Sequence, residues 1–110
     1  MKRDKLDRMI KGWFVGDFSP TVAPSEHVEV GVKTYKAGDE DTAHFHKVAT
    51  EITCVIEGQV EMCGETLGKG DIIEIEPGEK NTFKAITDAT LVVVKLPCAK
   101  DDKYLVEESE

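Results

Sequence analysis

From Glu26 onward the chain alternates. Val28, Val30 and Val32 interleave with Glu29, Gly31 and Lys33, the period of two that predicts an extended strand, here running to about Lys36. Gly38 and Asp39 mark a turn. Beyond it Thr42, His44 and His46 fall on one face, and Ala43, Phe45 and Lys47 on the other. In the next strand Ile52, Cys54 and Ile56 oppose Glu51, Thr53 and Val55. Both of its faces are largely apolar, so both are expected to be covered. One looks into an interior with Glu51; the other meets a second sheet or a partner subunit. Further short strands are predicted over 59–63, 72–76, 81–86 and 90–96, with Asn81, Phe83 and Ala85 sharing a face. Gly64-Glu65, Gly68 to Asp71, Pro77-Gly78 and Thr87-Asp88 supply the turns, and Pro97 closes the last strand. Many short strands divided by Gly and Pro turns predict an all-β sandwich or barrel.

The pattern differs at the two ends. Leu6, Met9 and Ile10 share a helical face amid charge, so residues 2–10 form either one short helix or a loose arm. Trp13, Phe14, Val15 and Phe18 make an apolar cluster before Pro20 and Pro24. It is expected to pack on the main body or on a second subunit. The division that follows is an arm over 1–27, a barrel over 28–96 and a tail over 97–110. The tail has one apolar patch, Tyr104-Leu105-Val106, in an acidic surround.

Composition narrows the functions. The chain has 110 residues and a formal charge of −8, enough length for one core. An acidic surface without a basic stripe argues against nucleic acid. No apolar run is long enough for a membrane span, and the charged start, MKRDKLDRMIKGW, lacks the core of a signal peptide. Three cysteines without CxxC spacing predict a reduced, cytoplasmic setting. Cys54 and Cys63 are expected to pack as small apolar groups. His27, Lys47 and Lys84 are expected to face solvent.

The chemistry concentrates in Gly38 to Gly58. Residues two apart on a strand share a face, about 7 Å between Cα atoms. His44 and His46 can therefore converge on one ion, about 2.1 Å from each ring nitrogen. Glu51, from the next strand, would complete a two-His, one-carboxylate set suited to iron and usable by manganese, nickel or zinc. The same phase places Thr42, Thr53 and Phe83 as pocket-lining residues. The alternatives are polar residues lining a pocket without metal, and a Glu51 that orients an imidazole instead of ligating.

Gly38-x5-His44-x-His46-x4-Glu51-x6-Gly58 resembles the first cupin motif, with every fixed position present. Gly70-Asp71-Ile72-Ile73-Glu74-Ile75-Glu76-Pro77-Gly78, eleven residues further on, resembles the second. The resemblance covers roughly residues 28–96. It implies a cupin-type jelly-roll β-barrel with the ligand site inside, and metal binding through His44, His46 and Glu51. The second motif departs at one position. The resemblance implies a metal-binding histidine three residues after Gly78, and that residue is Asn81. Asn81 is either a weaker fourth ligand or a group that orients a ligand. The family's later asparagine is Ala85.

Three functions are compatible with these features. The favoured one is a metal-dependent cupin acting on a small molecule, as a dioxygenase or an isomerase. The second is a metal-free sugar-nucleotide epimerase or ketoisomerase using histidine as acid and base. His44-Phe45-His46-Lys47 is similar to runs in such cupins, but few inward cations for a diphosphate are visible. The third is a non-catalytic sensor or storage cupin that binds a small ligand. Ile52, Cys54 and Ile56, with Trp13-Phe14-Val15 and Tyr104-Leu105-Val106, exceed the apolar surface a small barrel needs, and predict a homodimer.

Overall fold

Strand-forming sequence dominates the computed structural model, which describes residues 1–106. The strands are β1 (Trp13–Val15), β2 (Glu29–Tyr35), β3 (Glu40–Phe45), β4 (Thr50–Glu57), β5 (Val60–Met62), β6 (Glu65–Leu67), β7 (Ile72–Ile75), β8 (Asn81–Ala85), β9 (Ala89–Leu96) and β10 (Tyr104–Leu105). They form two five-stranded sheets, ordered β1-β2-β9-β4-β7 and β10-β3-β8-β5-β6. Every pairing between these strands is antiparallel. From β2 to β10 every connection except the one between β5 and β6 carries the chain from one sheet to the other. The result is an all-β jelly roll, as the alternation and the motif resemblance predict.

Glycine sets one of these corners. Gly58 follows β4 with φ +85°, and an added Cβ would stand 2.1 Å from the Asp88 carbonyl oxygen. Only a residue without Cβ permits both the turn and the approach.

The core lies between β4, β5, β7, β8 and β9. Val55, Val60, Met62, Ile75, Phe83, Ala85, Ala89, Leu91 and Val93 make one buried cluster. β4 reads as predicted: Glu51, Thr53 and Val55 point inward, and Ile52 and Cys54 stay half-buried on the outer face. β8 likewise buries Asn81, Phe83 and Ala85.

The ends differ from the expectation. Of the two readings of 2–10, a short helix or a loose arm, the chain keeps one 3₁₀ turn at Leu6–Arg8 in an otherwise irregular segment. Met9 is buried but Leu6 and Ile10 are exposed, so no apolar face exists to hold a longer helix. β1 joins the edge of the first sheet and β10 the edge of the second, so the two sheets reach beyond 28–96 at both ends. Residues 107–110, the acidic end of the tail, lie outside the described residues. No helix among the described residues is long and apolar enough to cross a membrane.

Candidate functional site

A cavity of about 400 Å³ opens between the sheets beside the apolar core, whose Met62, Phe83, Leu91 and Val93 form part of its wall. His44, Glu51, Thr53, Asn81 and Phe83 line it, all five marked by alternation, whereas His46, expected beside them, borders a separate cavity with Glu29, Lys95 and Asp102. His44 and Asn81 are register partners on β3 and β8. Glu51 enters from β4 in the facing sheet.

The two imidazoles sit edge to face with ring centroids 5.2 Å apart. His44 Nδ1 lies 2.9 Å from the Thr42 carbonyl oxygen. A carbonyl only accepts, so Nδ1 carries the proton and Nε2 keeps its lone pair. His46 is buried, and its Nε2 has no hydrogen-bond partner. Burial, then the nearby Lys95 ammonium and His44, lower its pKa to about 4. At neutral pH the ring is therefore uncharged, the form that binds metals. Rings sharing one ion at about 2.1 Å from each nitrogen would have centroids roughly 4.5–6 Å apart, which matches the observed separation.

Glu51 is committed elsewhere. Its Oε2 accepts from Asn81 Nδ2 at 3.0 Å and from Thr53 Oγ1 at 3.4 Å. Asn81 Oδ1 is left buried without a partner. Among the described residues no three His, Cys, Asp or Glu side chains stand close enough to hold a metal ion.

Thr42 is exposed, contrary to its expected place in the pocket lining. The register of β3 against β8 shifts between Asp41 and His44. A bulge there breaks the alternation that would have turned Thr42 inward with His44. Thr42 contributes through its backbone carbonyl instead.

The segment carrying His46 is pinned from two directions. Gly78 N–H donates to the His46 carbonyl at 2.7 Å. The buried Asp102 carboxylate accepts from the backbone amides of Lys47 at 3.0 Å, Val48 at 3.1 Å and Ala49 at 2.9 Å. Burial would raise the Asp102 pKa, but these three amides, aided by His46, bring it below the usual value. Sequence reading treated the tail around Asp102 as an acidic surface and missed this role. Among the described residues of that tail Asp102 is buried and Asp101 exposed, a difference that only the fold makes visible.

The facing wall was also missed. Trp13, expected on the body or a partner, packs on the body and lines the cavity with Lys11, Lys33 and Lys95. Trp13 pairs with Gly31 across β1 and β2, and a Cβ on Gly31 would stand 2.6 Å from the indole. Lys33 Nζ lies 5.1 Å and Lys95 Nζ 5.0 Å from the centroid of the indole ring. The inward cations that seemed few from sequence are thus present. The signal was phase: Lys95 continues the buried series Ala89, Leu91 and Val93.

The family model described as a cupin domain matches residues 31–96. No curated protein matches the chain. Among solved structures, an uncharacterised double-stranded β-helix protein of Klebsiella pneumoniae is 24% identical, with TM-score 0.69 over 76% of this chain and 74% of that one. The DMSP lyase DddQ of Ruegeria pomeroyi is 20% identical, with TM-score 0.72 over 89% of this chain and 52% of that one. Oxalate decarboxylase of Bacillus subtilis, a protein with Mn(II) centres, is 20% identical, with TM-score 0.63 over 74% of this chain and 25% of that one. At such identities the likeness shows the fold.

Proposed function

This chain belongs to the cupin family, and we propose that it acts on a small molecule at a divalent metal ion held by His44, His46 and Glu51. The observation that carries the proposal is the histidine pair. Two buried imidazoles, at a separation that suits one shared ion, both leave Nε2 uncommitted. The buried His46 Nε2 without a partner is costly, and an ion would satisfy it. The Mn(II) centres of the oxalate decarboxylase, which shares this fold, are in keeping with the idea. Iron, manganese, nickel and zinc all accept such donors.

The remaining residues have distinct tasks. Asn81, through its Nδ2, holds Glu51, and its free Oδ1 stays available as a weak fourth donor. The Thr42 carbonyl fixes the tautomer of His44. Asp102 and Gly78 hold the backbone that carries His46. No three donors stand ready, so loading demands a side-chain adjustment at Glu51 and affinity is moderate. A bound ion would supply Lewis-acid chemistry and, for iron or manganese, redox chemistry.

Elemental analysis of protein purified without a metal-affinity tag, then titration with Mn²⁺, Fe²⁺, Ni²⁺ and Zn²⁺ at one pH, tests this. Binding near one ion per chain is expected. His44→Ala should weaken it more than about 100-fold, and Asn81→Ala about 10- to 100-fold. Asn81→His should strengthen it. Wild-type protein that binds none of the four after reconstitution would sink the proposal. Weight would then move to metal-free acid–base chemistry, which gains from the lysines facing the cavity.

The same chain is proposed to form a homodimer. Of the three apolar patches expected at an interface, Trp13 faces the cavity, while Tyr104 stacks on Phe45 at 5.5 Å and still leaves Leu105 exposed. The outer face of the first sheet remains. Val30, Val94 and Ile52 are register neighbours across it, as are Val32, Val92, Cys54 and Ile72. A patch this continuous is suited to a two-fold partner.

A further inference from the structure

We infer that the cavity takes a small organic carboxylate, its negative end received by Lys33 and Lys95 beside Trp13 and the rest of the molecule reaching toward His44. This rests on reading the cavity as a small-molecule site, and it does not require the metal.

The distribution of charge is the first observation. The chain has 22 acidic residues against 14 basic ones, yet Lys11, Lys33, Lys95 and Lys103 all border one cavity. Lys103 has a partner, Asp41, at 3.2 Å. Among the described residues Lys33 and Lys95 pair with no carboxylate. For Lys95 this is not for want of candidates. Glu29 and Glu51 are its cross-strand register partners, and its ammonium instead lies 5.0 Å from the Trp13 ring centroid.

Lys33 is held in a place that opposes its charge. Burial, then Lys11 and Lys95, push its pKa below the usual lysine value. Its Nζ donates to the Lys11 carbonyl at 2.6 Å, which satisfies one of three N–H groups. The indole offsets part of the cost through cation–π attraction. Both ammonium groups stand about 5 Å from that one ring, so no more than about 10 Å separates them. An anion beside either would relieve their mutual repulsion.

The donors favour a carboxylate over a phosphate. Both arginines of the chain, Arg3 and Arg8, lie in the N-terminal segment and neither lines the cavity, so no guanidinium fork is present. Glu40, Asp41 and Glu51 line the same cavity, and a dianionic group would meet them at greater cost than a monoanionic one. Trp13 offers an apolar face to the carbon skeleton.

Trp13 is the only tryptophan, so its fluorescence reports on this wall alone. Acetate, pyruvate, succinate and inorganic phosphate would be titrated into the full chain at constant ionic strength. The titrations would use both chelator-treated and Mn²⁺-loaded protein, with calorimetry as a second readout. At least one carboxylate should saturate the signal, while succinamide, the neutral analogue, should not. Lys95→Met and Lys33→Met should each weaken the carboxylate about tenfold or more, with Lys33→Gln and Lys95→Gln as alternates if a Met variant misfolds. Lys69→Met, which removes an exposed lysine that does not line this cavity, should have no effect. Saturable binding that survives in chelated protein and in His44→Ala upholds the inference even if no metal binds. The inference is overturned by binding of none of the three carboxylates by either readout, by lysine variants that bind as well as wild type, or by phosphate binding more tightly than every carboxylate.

Discussion

The two halves of the barrel obey one rule and reach opposite results. In the half built from β4, β5, β7, β8 and β9, inward positions carry Val55, Val60, Ile75, Ala85 and Leu91, and the space between the sheets is filled. In the half bordered by β1, β2 and β3, inward positions carry Trp13, Lys33, Tyr35, Asp41 and His44, and a cavity remains. Thr53, Asn81 and Glu51 lie on the boundary and are buried with hydrogen bonds to one another. Alternation alone says which residues share a face. What fills that face decides whether the barrel is a core or a vessel. The packed half supplies stability, and it allows the other half to hold lysines and histidines that contribute little to it.

The strongest way to break this contrast is to place the same charge in both halves. Val55→Asp would bury a carboxylate at a position with no exposed surface, and should cost more than about 4 kcal/mol, enough to abolish cooperative folding. Lys33→Asp, in the open half, should stay folded and change stability by less than about 1 kcal/mol. Urea unfolding of the two variants checks this, and equal losses would mean that the halves are not different.

A smaller effect is expected where the tail grips the histidine segment. Asp102→Asn removes a charge that accepts three backbone amides and should cost about 1–3 kcal/mol. The pH dependence follows in sign. A carboxyl lowered in the folded state gives stability that is complete above its unfolded pKa, near 3.8, and lost as pH falls through the folded value. Wild type should therefore lose stability relative to Asp102→Asn below about pH 4. Parallel curves for the two proteins across that window would remove Asp102 from the account.

The smallest expected change sharpens the open half. Gly31→Ala would push a methyl group against the Trp13 ring, costing about 1 kcal/mol. The indole should move toward solvent, with a red-shifted emission. An unshifted spectrum would mean that Trp13 does not depend on the missing Cβ.

Much of this was legible in one dimension. The period of two gave the strands, and glycine and proline gave the turns. β4 and β8 could be phased because each carries a polar residue on the face that is otherwise apolar or small, as Glu51 does beside Val55 and Asn81 beside Ala85. β2 misleads on the same criterion. Its hydrophobic members are Val30 and Val32, yet Gly31, Lys33 and Tyr35 look inward, because this strand borders a polar cavity and its outer face is half-buried. Leu6 and Ile10 misled for a related reason: a helical period on ten residues cannot form a helix without a surface to bury it.

The sequence by itself determined the strand order along the chain, the all-β class and the family. These are local properties, set by backbone geometry within a few residues. The tertiary structure alone decided that Trp13 rests over Gly31, that Lys33 and Lys95 flank it, that Asn81 takes Glu51, that a bulge turns Thr42 outward, and that Asp102 holds the segment of His46 from 53 to 55 positions away. Each of these depends on register and on the closing of two sheets, which bring together residues distant in sequence. A pattern of polar and apolar positions assigns residues to faces, but it does not say which faces meet.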